Sequence, residues 1–306
     1  MRIGKYTFNC QFREPAYLPE YKGSTFRGLL GHALKSIICA LRREKCENCL
    51  LRHSCIYVTL FEPVHRSKGV PPPPPYVIEP HTSSVNAYQP GDIFSFNLIL
   101  FGFANDYIHH FICAFNYIGD KGIGKKVGEV RGRFSLARVT AGETNIFDGQ
   151  TGDVFASPEV KDWPPKFEVD GFEGISRISI TLLTPLRVKY ENHLTAELPF
   201  HVLLRSALRR ISTLYRTYNG AEPPLDYRGL VRRASEVQIK SSDLKWYDWR
   251  RYSRRQEQAM LMGGLIGSVS YEGELSEFIP YLKFCEAVHL GKQTVFGLGQ
   301  IKMEIL

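Results

Sequence analysis

A chain of 306 residues that is 43% hydrophobic, 12% aromatic and 23% charged has the composition of a folded protein and the length of two domains, which excludes a disordered chain. Its 39 Lys and Arg exceed 31 Asp and Glu to leave a net charge of +8, spread over both halves, so a polyanion suits it better than an acidic small molecule. Apolar stretches such as Ile93 to Phe103 are too short to cross a bilayer, the first residues read as a strand rather than an export signal, and the odd count of 7 Cys suits a reducing compartment; a cytoplasmic protein with no membrane partner is expected.

Arg2 to Phe12 has strand character, and Ser24 is a candidate N-cap for a helix whose apolar residues are Phe26, Leu29, Leu30, Ala33, Leu34, Ile37 and Leu41. The proline run Pro71 to Pro75 admits only an extended loop. Strand-like segments follow at Tyr76 to Glu79 and Asp92 to Phe101, then helical spacing from Asn105 to Tyr117, a loop with Gly119, Gly122, Gly124 and Gly128, and a strand at Arg133 to Thr140. The second half repeats this order. A strand at Ile175 to Leu183 meets a turn at Thr184-Pro185, and a long amphipathic helix runs from Pro199 to Tyr218 over Phe200, Leu203, Leu204, Leu208, Ile211, Leu214 and Tyr215. A glycine-marked hairpin is read at Leu261 to Leu275, a helix at Ser276 to Val288, and a last strand at Gln300 to Leu306. That is βαββαβ twice, the α+β class with two tandem ferredoxin-like (RRM-like) domains at 1–168 and 169–306. Each carries a glycine-rich loop, and the first has a Cys-rich insertion at 39–57 after its first helix.

The C-terminal loop, His289-Leu-Gly-Lys-Gln-Thr-Val-Phe-Gly-Leu-Gly299, brings Lys292 together with Gly291, Gly297 and Gly299. Glycines let backbone N–H groups approach phosphates and the lysine adds charge. Turns that demand positive φ are the plainer reading of such glycines, but a second loop with Lys121, Lys125 and Lys126 favours phosphate binding. On the long helix, Arg205, Arg209 and Arg216 fall on a narrow arc opposite the apolar face. Further on, Trp246-Tyr-Asp-Trp-Arg-Arg-Tyr-Ser-Arg-Arg255 interleaves aromatics with Arg250, Arg251, Arg254 and Arg255, the mixture that stacks on bases while neutralising phosphates.

His32 lies off the apolar stripe of the first helix, beside Gly28, Gly31 and Lys35. An exposed imidazole with small neighbours leaves space for a substrate and serves as an acid or base near neutral pH. Cys39, Cys46, Cys49 and Cys55 crowd into the following segment with a Cys-x2-Cys at its centre. That is the half-site of a structural zinc, or equally of an iron–sulfur cluster, and its closed ligand set would serve structure rather than catalysis.

Three segments together resemble the CRISPR-associated endoribonuclease that processes precursor CRISPR RNA, the Cas six family of the RAMP superfamily. They are Gly23-Ser-Thr-Phe-Arg-Gly-Leu-Leu-Gly-His-Ala-Leu34 with its cysteine insertion through Tyr57 and Phe61-Glu-Pro63, then Arg251-Tyr-Ser-Arg-Arg-Gln256, and Val288 to Gly299. The resemblance implies two tandem ferredoxin-like domains and metal-independent cleavage of repeat RNA, in which the 2′-OH attacks phosphorus to leave 2′,3′-cyclic phosphate and 5′-OH ends. It implies no catalytic cofactor. His32 is then the general base or acid, with Lys35 or Arg27 stabilising charge and His289 as the alternative. Arg205, Arg209, Arg216, Arg251, Tyr252, Arg254, Arg255, Lys125, Lys126 and the C-terminal loop are the RNA contacts. Several relatives use a tyrosine of the first helix, but no tyrosine stands between Tyr21 and Tyr57, so that set is not carried over. Expected partners are repeat RNA, its CRISPR RNA product and subunits of an effector complex, the protein itself being a monomer or homodimer. A non-catalytic RAMP subunit that holds guide RNA is the competing reading.

Overall fold

A computed structural model describes residues 1–41, 44–62, 72–81, 85–155, 160–163, 167–188, 197–253 and 258–306, with backbone alone at 250–253 and 258–261. The chain divides into two compact units, Met1–Trp163 and Pro164–Leu306. This boundary lies earlier than the 168 read from sequence. Phe167 explains the shift, because its ring packs at 5.0 Å from that of Tyr281 and 5.7 Å from that of Phe284, inside the second unit.

The first unit contains, in order, β1 (Arg2–Phe12), β2 (Ala16–Tyr17), α1 (Gly23–Ile38), α2 (Ile56–Phe61), β3 (Tyr76–Pro80), β4 (Ala87–Tyr88), β5 (Ile93–Phe101), α3 (Ile108–Lys121), β6 (Ile123–Val127), β7 (Val130–Gly132), β8 (Phe134–Ala141), β9 (Thr144–Asp148) and β10 (Lys161–Asp162). Its main sheet is antiparallel in the order β3-β5-β1-β8-β9, with β10 on the start of β1. Alternation in β1 sends Tyr6, Phe8, Cys10 and Phe12 to one face, all of them buried, and leaves Lys5 and Gln11 exposed. Phe26, Leu30 and Leu34 of α1 and Phe111 and Phe115 of α3 cover that face. Phe96 stands at its centre, with ring centroids 5.0 Å from Phe8, 5.0 Å from Phe26 and 4.5 Å from Phe115. Each such ring contributes on the order of 1.5–3 kcal/mol by leaving water.

The second unit contains β11 (Arg177–Leu186), α4 (Phe200–Tyr218), α5 (Tyr227–Ala234), β12 (Gln238–Ser242), β13 (Lys245–Ser253), β14 (Gln258–Glu272), α6 (Ile279–Val288) and β15 (Ile301–Ile305). Its antiparallel sheet runs β12-β14-β11-β15, with β13 also on β14. Counting the four main strands of each unit by appearance, both sheets have the order 2-3-1-4, the ferredoxin-like arrangement expected from the repeated βαββαβ pattern. All seven apolar residues read on the face of α4 are buried.

Several local expectations are corrected. Ser24 lies within α1 rather than capping it; Lys22 holds the cap position, and its carbonyl accepts from the Thr25 and Phe26 amides. Leu261 to Leu275 is not a hairpin, since one strand runs through to Glu272. Its glycines permit close approach instead: a Cβ on Gly263 would fall 2.6 Å from the Trp246 ring, and one on Gly267 2.7 Å from the Asp243 carbonyl. Strand β13 pairs antiparallel with β14, and residues 254–257 between them lie outside the described residues. Thr184-Pro185 is an irregularity within β11 rather than its end. Among the described residues, no helix is long and apolar enough to cross a membrane.

Candidate active site and nucleic-acid interface

The packing of α1 beside α3 leaves a cleft of about 310 Å³ lined by His32, Lys35, Ser36 and Tyr117. His32 is exposed, as helix periodicity requires, and Lys35 is half-buried. Two neighbours fix the lysine. Its Nζ lies 5.9 Å from the centre of the Tyr57 ring, and its charge acts on the Cys46 thiol. Burial pushes that thiol up from the ordinary cysteine value while the Lys35 charge pulls it back.

Gly31 and Arg27 serve the interior more than the substrate. A Cβ on Gly31 would clash with Phe61 Cζ, so the missing side chain makes room for a phenyl ring, whereas Gly28 faces open space. The guanidinium of Arg27 lies 4.4 Å from the centre of the Phe61 ring and beside the Tyr76 phenol. Burial pushes that phenol up to about 12, with the Arg27 charge opposing the rise.

His289 is 0% exposed, which corrects its reading as an alternative catalytic group. A φ of 61° turns it inward, and its Nδ1 lies 3.1 Å from the Leu298 carbonyl oxygen. The loop around it is held from several sides. Arg210 donates to the Val288 carbonyl at 2.8 Å, Thr184 Oγ1 to the Gly297 carbonyl at 2.8 Å, and the Lys292 amide to the Arg187 carbonyl at 3.0 Å. Arg210 is buried, which pulls its guanidinium down to about 10. Gly291, Gly297 and Gly299 all have positive φ, and a Cβ on Gly299 would fall 1.8 Å from the Leu290 oxygen. Gly297 and Gly299 are buried and Gly291 is half-buried, so Lys292 is the exposed member of the expected phosphate-binding set.

The remaining cations lie on surface elements. Lys125 and Lys126 are exposed on β6, and Arg205 and Arg209 on α4. Arg216 is also exposed but is salt-bridged to Glu222 and donates to the Ser212 hydroxyl. Trp246, Tyr247 and Trp249 are half-buried on β13, where Tyr247 and Trp249 stack at 5.8 Å. The backbone of Arg251 pairs with Met260 and that of Tyr252 with Ala259. Arg254 and Arg255 lie outside the described residues. Sequence reasoning missed α5, whose Arg228 and Arg232 are exposed, and it missed Tyr117.

Three of the four clustered cysteines are placed by their contacts. Cys39 ends α1 and its amide donates to the Lys35 carbonyl, Cys46 faces Lys35, and Cys55 caps α2 with its carbonyl accepting from the Thr59 amide. Among the described residues no three His, Cys, Asp or Glu side chains are grouped so as to hold a metal ion.

Residues 180–301 match the family model of the CRISPR-associated endoribonuclease Cas6, and residues 1–159 match the N-terminal domain model AF_1859_N. The second unit carries a CRISPR-associated Cas6 endoribonuclease domain. An uncharacterised protein of Archaeoglobus fulgidus is 23% identical over 292 residues, covering 92% of this chain and 91% of its own. Among solved structures, Thermus thermophilus Cas6 aligns with TM-score 0.56 at 12% identity, over 99% of this chain and 98% of its own. A Cas6 product complex gives 0.55 at 14%, over 99% of each chain. A chain of a partial Cas6-RT-Cas1–Cas2 complex gives 0.60 at 14% and covers all of this chain, which spans only 46% of that longer one. At these identities the likeness is one of fold. A Cas6 fold with an imidazole, an ammonium and a phenol in one open cleft of its first unit has the groups that phosphodiester transesterification needs.

Proposed function

We propose that this chain binds CRISPR repeat RNA and cleaves it without a metal, the 2′-OH attacking the adjacent phosphorus to leave 2′,3′-cyclic phosphate and 5′-OH ends. The observation that carries this reading is the shared cleft of His32 and Lys35 on the first helix. The nucleophile comes from the substrate itself, so the protein supplies proton transfer and charge stabilisation. His32 takes the 2′-OH proton. Lys35, steadied over Tyr57, keeps its ammonium donors for the non-bridging oxygens as negative charge grows on the phosphorane. Lys125, Lys126, Lys292, Arg205 and Arg209 hold the RNA backbone, and the aromatic strand β13 supplies surfaces for unpaired bases. The match of residues 180–301 to the Cas6 endoribonuclease model supports RNA as the ligand class.

In single-turnover assays on repeat RNA, His32→Ala is expected to lose about 10²-fold or more in rate while its RNA affinity stays unchanged. Undiminished cleavage by that variant would remove His32 from the mechanism. Tight repeat binding with no cleavage by the wild-type protein would instead make the chain a non-catalytic RAMP subunit that holds guide RNA.

A further inference from the structure

Two groups in the cleft, Tyr117 and Ser36, have no part in the mechanism above. Tyr117 sits near the end of α3, half-buried, and lines the cavity with His32, Lys35 and Ser36. Its ring is steadied by Lys121, one turn further along, whose Nζ lies 5.6 Å from the ring centre. The phenol thus enters from a different helix than the imidazole.

Transesterification moves two protons, one off the attacking 2′-oxygen and one onto the departing 5′-oxygen, and these oxygens leave and enter on opposite sides of phosphorus. A single imidazole engaged with the first cannot reach the second in the same step. Of the other groups in the cleft, Lys35 carries an ammonium that is drawn to the negatively charged non-bridging oxygens. Ser36 carries an alcohol, a far weaker acid than a phenol.

We infer that Tyr117 is the general acid of the cleavage step. The bond from the 2′-oxygen to phosphorus forms as His32 accepts the 2′ proton. The bond from phosphorus to the 5′-oxygen breaks, its electron pair stays on that oxygen, and the Tyr117 hydroxyl delivers the proton that neutralises it. Phenolate and imidazolium then exchange protons with water, which restores both for the next substrate. This assignment rests on the reading of the chain as a repeat-RNA endoribonuclease.

The test compares wild type, Tyr117→Phe and His32→Ala on two RNAs: the native repeat, and the same repeat with sulfur replacing the bridging 5′-oxygen at the cut mapped with wild type. A thiolate departs without a proton. Tyr117→Phe keeps the ring beside Lys121, and it is expected to bind RNA as wild type does while cleaving the native repeat about 10²-fold more slowly. On the sulfur substrate it should match wild type within roughly threefold, while His32→Ala remains slow on both. Wild-type rates for Tyr117→Phe on native RNA, or an equal defect on both RNAs, would overturn the assignment; the second outcome is what a merely structural ring predicts. Failure of the wild-type protein to cut either RNA would take down the endoribonuclease reading, and the assignment with it.

Discussion

Gly31 shows how a single missing side chain organises the candidate site. The Phe61 ring that fills its place is stacked on Tyr57 at 5.7 Å and on Tyr76 at 6.1 Å and carries Arg27 on one face, so it cannot swing aside cheaply. Gly31→Ala is expected to overpack this contact and cost about 1–3 kcal/mol, read as a lower denaturant midpoint at unchanged m. His32, the next residue, was legible as a surface group because helix periodicity alone sets it off the buried stripe. His289 was not, because the positive φ that turns it inward is a property of how the loop is tied to its strand. Tyr117 was invisible for another reason: its place beside His32 depends on the packing of two helices far apart in sequence.

Among elements, the basic faces divide into cations that are available and cations that are engaged. Arg205 and Arg209 project from α4, whereas Arg216 on the same arc is held by Glu222 and Ser212. Each cation that neutralises a phosphate of a single strand adds about 0.7 to the slope of log K against log salt. Replacing Arg205 and Arg209 together by Ala should therefore flatten that slope by about 1.4 in a filter-binding titration. Arg216→Ala should change it by much less, and an equal change would mean the Glu222 bridge opens on binding. The arc itself was readable from sequence, but the acidic partner that takes one member out of play was not. Strand β14 was misread for a related reason. Glycine marks turns in isolation, whereas Gly263 and Gly267 sit inside a strand because a tryptophan ring and a backbone carbonyl crowd them. Helix α5 escaped notice because it is only 8 residues long and follows a proline pair.

At the scale of the whole molecule, the repeated βαββαβ order was legible because alternating strands and long amphipathic helices are driven by burial, which the pattern of apolar residues encodes directly. Both sheets keep the same strand order. The cysteine spacing marks the opposite limit, since it states which residues are able to meet, and metal analysis of the purified protein reads whether a metal gathers them. The cleavage chemistry is an account of the first unit, whereas the Cas6 model matches the second, so it is tested most directly on the intact chain by the ends it leaves. End-labelled repeat RNA incubated with the purified protein in excess EDTA should be cut at one position, leaving a 2′,3′-cyclic phosphate on one fragment and a 5′-hydroxyl on the other. Fragments ending in 3′-hydroxyl and 5′-phosphate, or RNA left whole in EDTA and cut when a divalent metal is restored, would contradict the account.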